Sequence, residues 1–177
     1  MRIRYLMIAA MALMLQIIPS VSLAVSAGDD PSSSDLSAWS SFRSCGYLSG
    51  ASNRTTNVKA VQDITSVYSP TTRSYIMDNG GIDGSFGIHT KSAVFHIQRY
   101  YDLHTDGEVG PNTWEALCRQ LVVKSYTRTS SATQTDFEPD PNDNQYSSLT
   151  GGIKHVVTNG LNAWQYKYSS GSWYNIS

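Results

Sequence analysis

Two aspartates lie in near-identical surroundings, Asp83 in Asp83-Gly84-Ser85-Phe86-Gly87-Ile88-His89-Thr90 and Asp106 in Asp106-Gly107-Glu108-Val109-Gly110-Pro111-Asn112-Thr113. A pair of carboxylates flanking a glycosidic bond is the minimum for acid/base hydrolysis of a sugar polymer. Both, however, sit in Asp-Gly turns, where the carboxylate bonds nearby backbone N–H groups and the glycine accepts a positive φ, so a structural role already accounts for them. Glu115 and Glu138 stand in no recognisable context. The histidines His89, His96, His104 and His155 show no zinc-ligand spacing beside a carboxylate motif, and solvated or capping roles suit them better. No nucleophile elbow and no Cys-His pairing is present. Neither a cofactor nor a metal is expected, and no residue is assigned a catalytic role.

The elements that carry these residues are visible in the repeat. The second loop follows the first by 23 residues, and Ala93-Val94 after the first corresponds to Ala116-Leu117 after the second. Each loop therefore runs into a helix, capped either by Gly87 and Gly110, with Pro111 at its favoured first position, or slightly later by Thr90 and Thr113. Val94, Ile97 and Tyr101 make one face at helical period with Ala93 beside them and Gln98 in the fourth place. Val58, Val61, Ile64 and Val67 repeat this upstream, with Gln62 equivalent to Gln98. A shorter third helix is expected from Pro111 to Gln120. Each glutamine amide must find partners. It either bonds the backbone of the glycine loops or contributes to a polar pocket for an amide-bearing ligand.

Residues 121–150, rich in Thr, Ser and Asp, read as a linker. Beyond it, Ile153 to Thr158, Leu161 to Tyr168 and Ser172 to Ile176 read as three strands with turns at Asn159-Gly160 and Ser169 to Gly171. A helix from Gly152 to Thr158 is the alternative for the first of these. Trp164, Tyr166 and Tyr168 share one face by period 2. With Trp173 and Tyr174 they either pack a small sheet or offer a sugar-stacking platform.

At the start, Arg2 and Arg4 precede an apolar run from Tyr5 to Ile18 that stops at Pro19, short of the roughly 20 residues a membrane span requires. Residues 1–27 are therefore expected to be a signal peptide cut after Ala27, with Ala24 as the other site, and no stable membrane anchor remains after cleavage. Residues 28–44 read as a flexible leader. The full chain carries 13 basic and 14 acidic residues, a formal charge of −1, and loss of the leader's two arginines makes it more acidic. No Lys/Arg cluster suits a polyphosphate, so nucleic acid is not an expected partner. The cysteines, Cys45 and Cys118, both fall in the exported part and are expected to form one bridge, with two free thiols as the alternative.

The residues Asp83-Gly84-Ser85-Phe86-Gly87, Thr90, Ala93-Val94, Ile97-Gln98, Leu103, Asp106-Gly107-Glu108-Val109-Gly110-Pro111, Thr113-Trp114 and Leu117 together resemble the peptidoglycan-binding-like domain, in the form found in exported actinobacterial proteins. The resemblance runs from about Cys45 to Leu117. It implies a three-helix domain that targets a partner wall enzyme to peptidoglycan. The chain departs from the family pattern at Thr65, Ile97 and Asp102, which stand where an apolar residue, an aromatic and a glycine are usual, and in a longer connection from Tyr68 to Ile82.

The expected architecture is thus mainly α: a three-helix bundle with two DGxxGxxT loops over 45–120, then a β-hairpin or three-stranded meander over 151–177. The expected function is that of a secreted, non-catalytic module binding peptidoglycan through its glycan or stem peptide. The candidate ligand residues are Asp83, Gly84, Phe86, Gly87, Thr90, Gln98, Tyr100, Asp106, Gly107, Gly110, Thr113 and Trp114. A cell-wall hydrolase and a protein-interaction module that has lost wall binding are the rival readings.

Overall fold

The structure, a computed structural model, describes residues 47–50, 54–142, 144–146, 148–159 and 161–176. The expected signal peptide, the leader and Cys45 lie outside these residues. Four helices come first: α1 (Thr55–Tyr68), α2 (Pro70–Met77), α3 (Ile88–Tyr100) and α4 (Pro111–Cys118). Five strands follow: β1 (Leu121–Arg128), β2 (Ala132–Pro139), β3 (Gly152–Thr158), β4 (Leu161–Lys167) and β5 (Trp173–Asn175). They pair in chain order as one antiparallel meander.

Three expectations change. The connection from Tyr68 to Ile82 contains α2, whose start is written as Ser69-Pro70-Thr71-Thr72. Ser69 and Thr72 form a reciprocal capping box around Pro70 at the first helical position. The stretch 121–150 is no plain linker, because it supplies β1 and β2. Its Thr- and Ser-rich composition reflects a strand pair with a solvated outer face, while Thr135 and Phe137 point inward and are buried. The C-terminal meander accordingly has five strands. Residues Gly152–Thr158 form a strand, which removes the helical alternative there.

The sheet and the helices share one core. Val58, Val61, Ile64, Val94, Ile97, Trp114 and Leu117 from the helices belong to the same buried cluster as Phe137, Ile153, Trp164, Tyr166 and Ile176. At its polar centre lies Asp63 of α1, fully buried. Its carboxylate accepts from the backbone N–H groups of Thr150 (2.8 Å) and Gly151 (2.7 Å) and from the phenol of Tyr166 (2.9 Å). Gly151 is obligatory for this approach, since a Cβ there would meet the Lys167 carbonyl at 2.2 Å. Burial raises the Asp63 pKa against the lowering effect of these bonds. Burial and the neighbouring carboxylate also raise that of Tyr166, which stays protonated and donating.

Two departures from the family pattern acquire reasons. Thr65 is buried, and its hydroxyl donates to the carbonyl of Val61 at 2.8 Å, which satisfies the group inside the helix. Asp102 adopts φ 52°, the left-handed conformation for which glycine is usual, as Leu103 N–H returns to the Gln98 carbonyl at 2.8 Å and ends α3. Among the described residues no helix is long and apolar enough to cross a membrane.

Candidate functional site

The two loops are built alike, atom for atom. Gln62 accepts from the Gly84 N–H at 2.8 Å, while its amide nitrogen lies 2.8 Å from Asp83 Oδ1, 3.1 Å from the Ser85 carbonyl and 3.0 Å from Thr90 Oγ1. Gln98 accepts from the Gly107 N–H at 2.8 Å. Its nitrogen lies 2.9 Å from Asp106 Oδ1, 2.9 Å from the Glu108 carbonyl and 3.1 Å from Thr113 Oγ1. Each aspartate also accepts from the N–H two residues on, Ser85 or Glu108, at 2.8 Å. The glycines are needed twice over: φ is +83° at Gly84 and +72° at Gly107, and a Cβ would strike Thr55 at 2.5 Å or Lys91 at 2.6 Å.

Both amides are buried and bonded to the loops, as the loop-bonding reading of the glutamines expects, and Gln62 in this bonded state also borders a small recess beside the first loop. The geometry also separates the capping alternatives. Gly87 and Gly110 occupy the N-cap positions, and Thr90 and Thr113 sit in the first turns, buried, as partners of Gln62 and Gln98. A slight desolvation of Asp106 is outweighed by the Glu108 N–H, the Gln98 amide and His104, 3.1 Å away, which together lower its pKa. Held ionised in this way, it is suited to accepting hydrogen bonds and unsuited to donating a proton.

Of the other candidates, Trp114 is fully buried and cannot stack on a ligand, and Phe86 is likewise core. Trp114 follows Thr113 in α4 and belongs to the same buried cluster as Leu48 and the helix core. Tyr100 is 58% exposed and packs against Tyr68 and Tyr101, each with ring centroids at 5.0 Å. Cys118 is buried at the end of α4. In the tail, Trp164 and Tyr166 are core, which settles their role as packing residues.

The surroundings of the two loops differ. The second loop is covered by the incoming chain: Leu48 and Val109 form a bridge, with N–H to carbonyl distances of 3.0 and 2.8 Å, and Tyr47 lies against Gly110. The first loop is flanked by α2, and here the surface opens. A small recess of about 60 Å³ lies among Tyr75, Asn79, Asp83, Ser85, His89 and Thr90. It shares Tyr75 with a groove of about 370 Å³ between α2 and α3, lined by Tyr75, Ile88, Lys91, Ser92, Phe95 and His96. Ile88 is 74% exposed and Phe95 41%, and the Tyr75 and His96 rings lie 5.4 Å apart.

Sequence reasoning passed over this groove because it attended to the core stripe of α3. Ile88, Lys91, Ser92 and Phe95 recur at helical spacing on another face, and two large apolar residues seven apart off the core stripe were the available signal. Tyr75 was out of reach, since it lies on the helix that was read as a connection. Among the described residues no group of three or more His, Cys, Asp and Glu side chains is arranged to hold a metal ion.

Residues 54–117 match the model of the family described as Putative peptidoglycan binding domain. The match takes in α1, α2, α3 and nearly all of α4, the same helices that carry the paired loops, and leaves the sheet outside it. No curated protein and no solved structure matches the chain.

Proposed function

We propose that this protein holds bacterial peptidoglycan without cutting it, with the groove between α2 and α3 as the contact for the glycan strand. The family match over 54–117 carries this reading. The groove supports it: aromatic and aliphatic side chains offer flat apolar faces to sugar rings and N-acetyl methyls, while Lys91, Ser92 and His96 at the rim can bond hydroxyl and amide groups. The paired loops then serve as the frame that sets α3 against α1 and α2.

In this reading the protein is exported, residues 1–27 are a cleaved leader, and the rest works at the wall. A Cys45–Cys118 disulfide belongs to the same proposal. The Leu48–Val109 bridge pins the chain just after Cys45 to the core that buries Cys118.

Incubation of the exported chain with purified insoluble peptidoglycan tests the proposal. The protein is expected in the pellet with no soluble muropeptides released. Release of fragments would make the protein a hydrolase, and its retention in the supernatant would favour a protein-interaction role.

A further inference from the structure

The sheet has a second face, turned away from the helices. Register places Ser125, Asp136, Lys154, Gln165 and Asn175 in one row across it, with Lys167 and Trp173 in the next row beside Gly152. Gly152 carries no side chain in that row. It opens β3 opposite Lys167 of β4, one residue before the pairing with β2 begins at Ile153; its φ is outside the left-handed region, and it is not the glycine whose N–H bonds Asp63. The Trp173 ring leans over Gly152, 3.2 Å from where a Cβ would stand, and beside this contact lies a notch of about 320 Å³.

The walls of the notch carry opposite charges. Asp136 and Glu138 of β2 stand on one side of Gly152 and Lys167 of β4 on the other, with the Trp173 ring reaching from β5 back over Gly152. The two sides are separated by two interstrand spacings, roughly 10 Å. Lys124, next to a bulge in β1, reaches Glu138 at 3.7 Å in an exposed, loose pair that a ligand's charges can replace. Lys154 lies over the Trp173 ring at 4.1 Å, so one face of the indole is already occupied and is not a stacking platform for sugar.

We propose that this notch is a second ligand site and that it takes a peptide end bearing both an ammonium and a carboxylate, the ammonium toward Asp136 and Glu138 and the carboxylate toward Lys167. The zwitterionic class follows from the notch alone. Its assignment to the stem peptide of the wall rests on the wall-binding reading above, and divides the polymer between the two faces: glycan in the helical groove, peptide on the sheet.

The test is calorimetric titration of the exported chain with two probes, a soluble stem tripeptide ending in a diamino acid and tri-N-acetylglucosamine. The tripeptide is expected to bind, more weakly as salt is raised. Glu138→Gln and Lys167→Gln should each weaken it about fivefold, the scale of a partly exposed ion pair. Gly152→Val, whose side chain would push the Trp173 ring into the notch, should abolish it. The two charge variants lie on the surface and keep the proposal testable if Gly152→Val fails to fold. No tripeptide binding, or binding unchanged by both charge substitutions, overturns the proposal. So does trisaccharide binding that is lost in Lys167→Gln. Failure of the two readings is separable: pelleting with the wall but no tripeptide affinity removes only the notch, and tripeptide affinity without pelleting removes only the wall reading.

Discussion

The carboxylate of Asp63 on α1 and the phenol of Tyr166 on β4 meet at 2.9 Å across 103 residues of sequence, inside the cluster to which helices and sheet both contribute. The family match ends before the sheet begins, yet the buried carboxylate belongs to both parts. Unfolding should therefore be one event: the helical circular dichroism signal and the fluorescence of the buried tryptophans should change together in urea. Asp63→Ala, which strands two backbone N–H groups and a buried phenol, should cost about 3 kcal/mol or more. Two separate transitions would show the sheet to be an independent unit.

Acid should affect this contact in a defined direction. Because burial raises the Asp63 pKa above its ordinary 3.8, the group's contribution is fullest below that value and is lost as pH rises through the folded value. Comparison with Asp63→Asn cancels the other carboxylates. The stability of the native protein relative to this variant should grow as pH is lowered from 7 toward 4 in urea titrations. A difference that shrinks over that range would mean that the three hydrogen bonds outweigh desolvation.

The paired loops make matched demands. Gln62→Ala and Gln98→Ala each leave a glycine N–H and an aspartate without the amide that joins them, and each should lower stability by about 2 kcal/mol. Gly107→Ala combines a disfavoured φ with a 2.6 Å clash on Lys91 and should cost at least as much. Thermal denaturation of the three variants checks this, and a loss confined to one loop would refute their equivalence.

A Cys45–Cys118 bridge would close a loop of about 70 residues, for which chain entropy predicts roughly 4 kcal/mol. Thiol titration of the unfolded, unreduced protein should find no free thiol. Reduction should lower the urea midpoint accordingly, and two titratable thiols would remove the bridge.

The sequence made the loops legible because their chemistry is local. Asp-Gly turns, the following helix start and a glutamine on the preceding stripe announce themselves within a few residues, twice. The apolar pair Ile88 and Phe95 on the outer face of α3 was equally local but lies off the stripe of Val94 and Ile97. What escaped depended on distant partners. The polar strands β1 and β2 look like a linker until β3 supplies the face on which Thr135 and Phe137 are buried, and Trp114 looks like a ligand platform until the fold encloses it. Asp63 gave no signal at all, since its partners Thr150, Gly151 and Tyr166 come from the far end of the chain.

The central claim is that the α2–α3 groove holds the wall. Its most direct test is co-sedimentation of residues 28–177 with insoluble peptidoglycan beside an Ile88→Ser, Phe95→Ala double variant, whose altered side chains are exposed and whose melting temperature should be unchanged. The parent protein should pellet and the variant should stay in the supernatant. Equal pelleting of the two would show that the groove is not the site, and a parent protein that stays in solution would contradict wall binding itself.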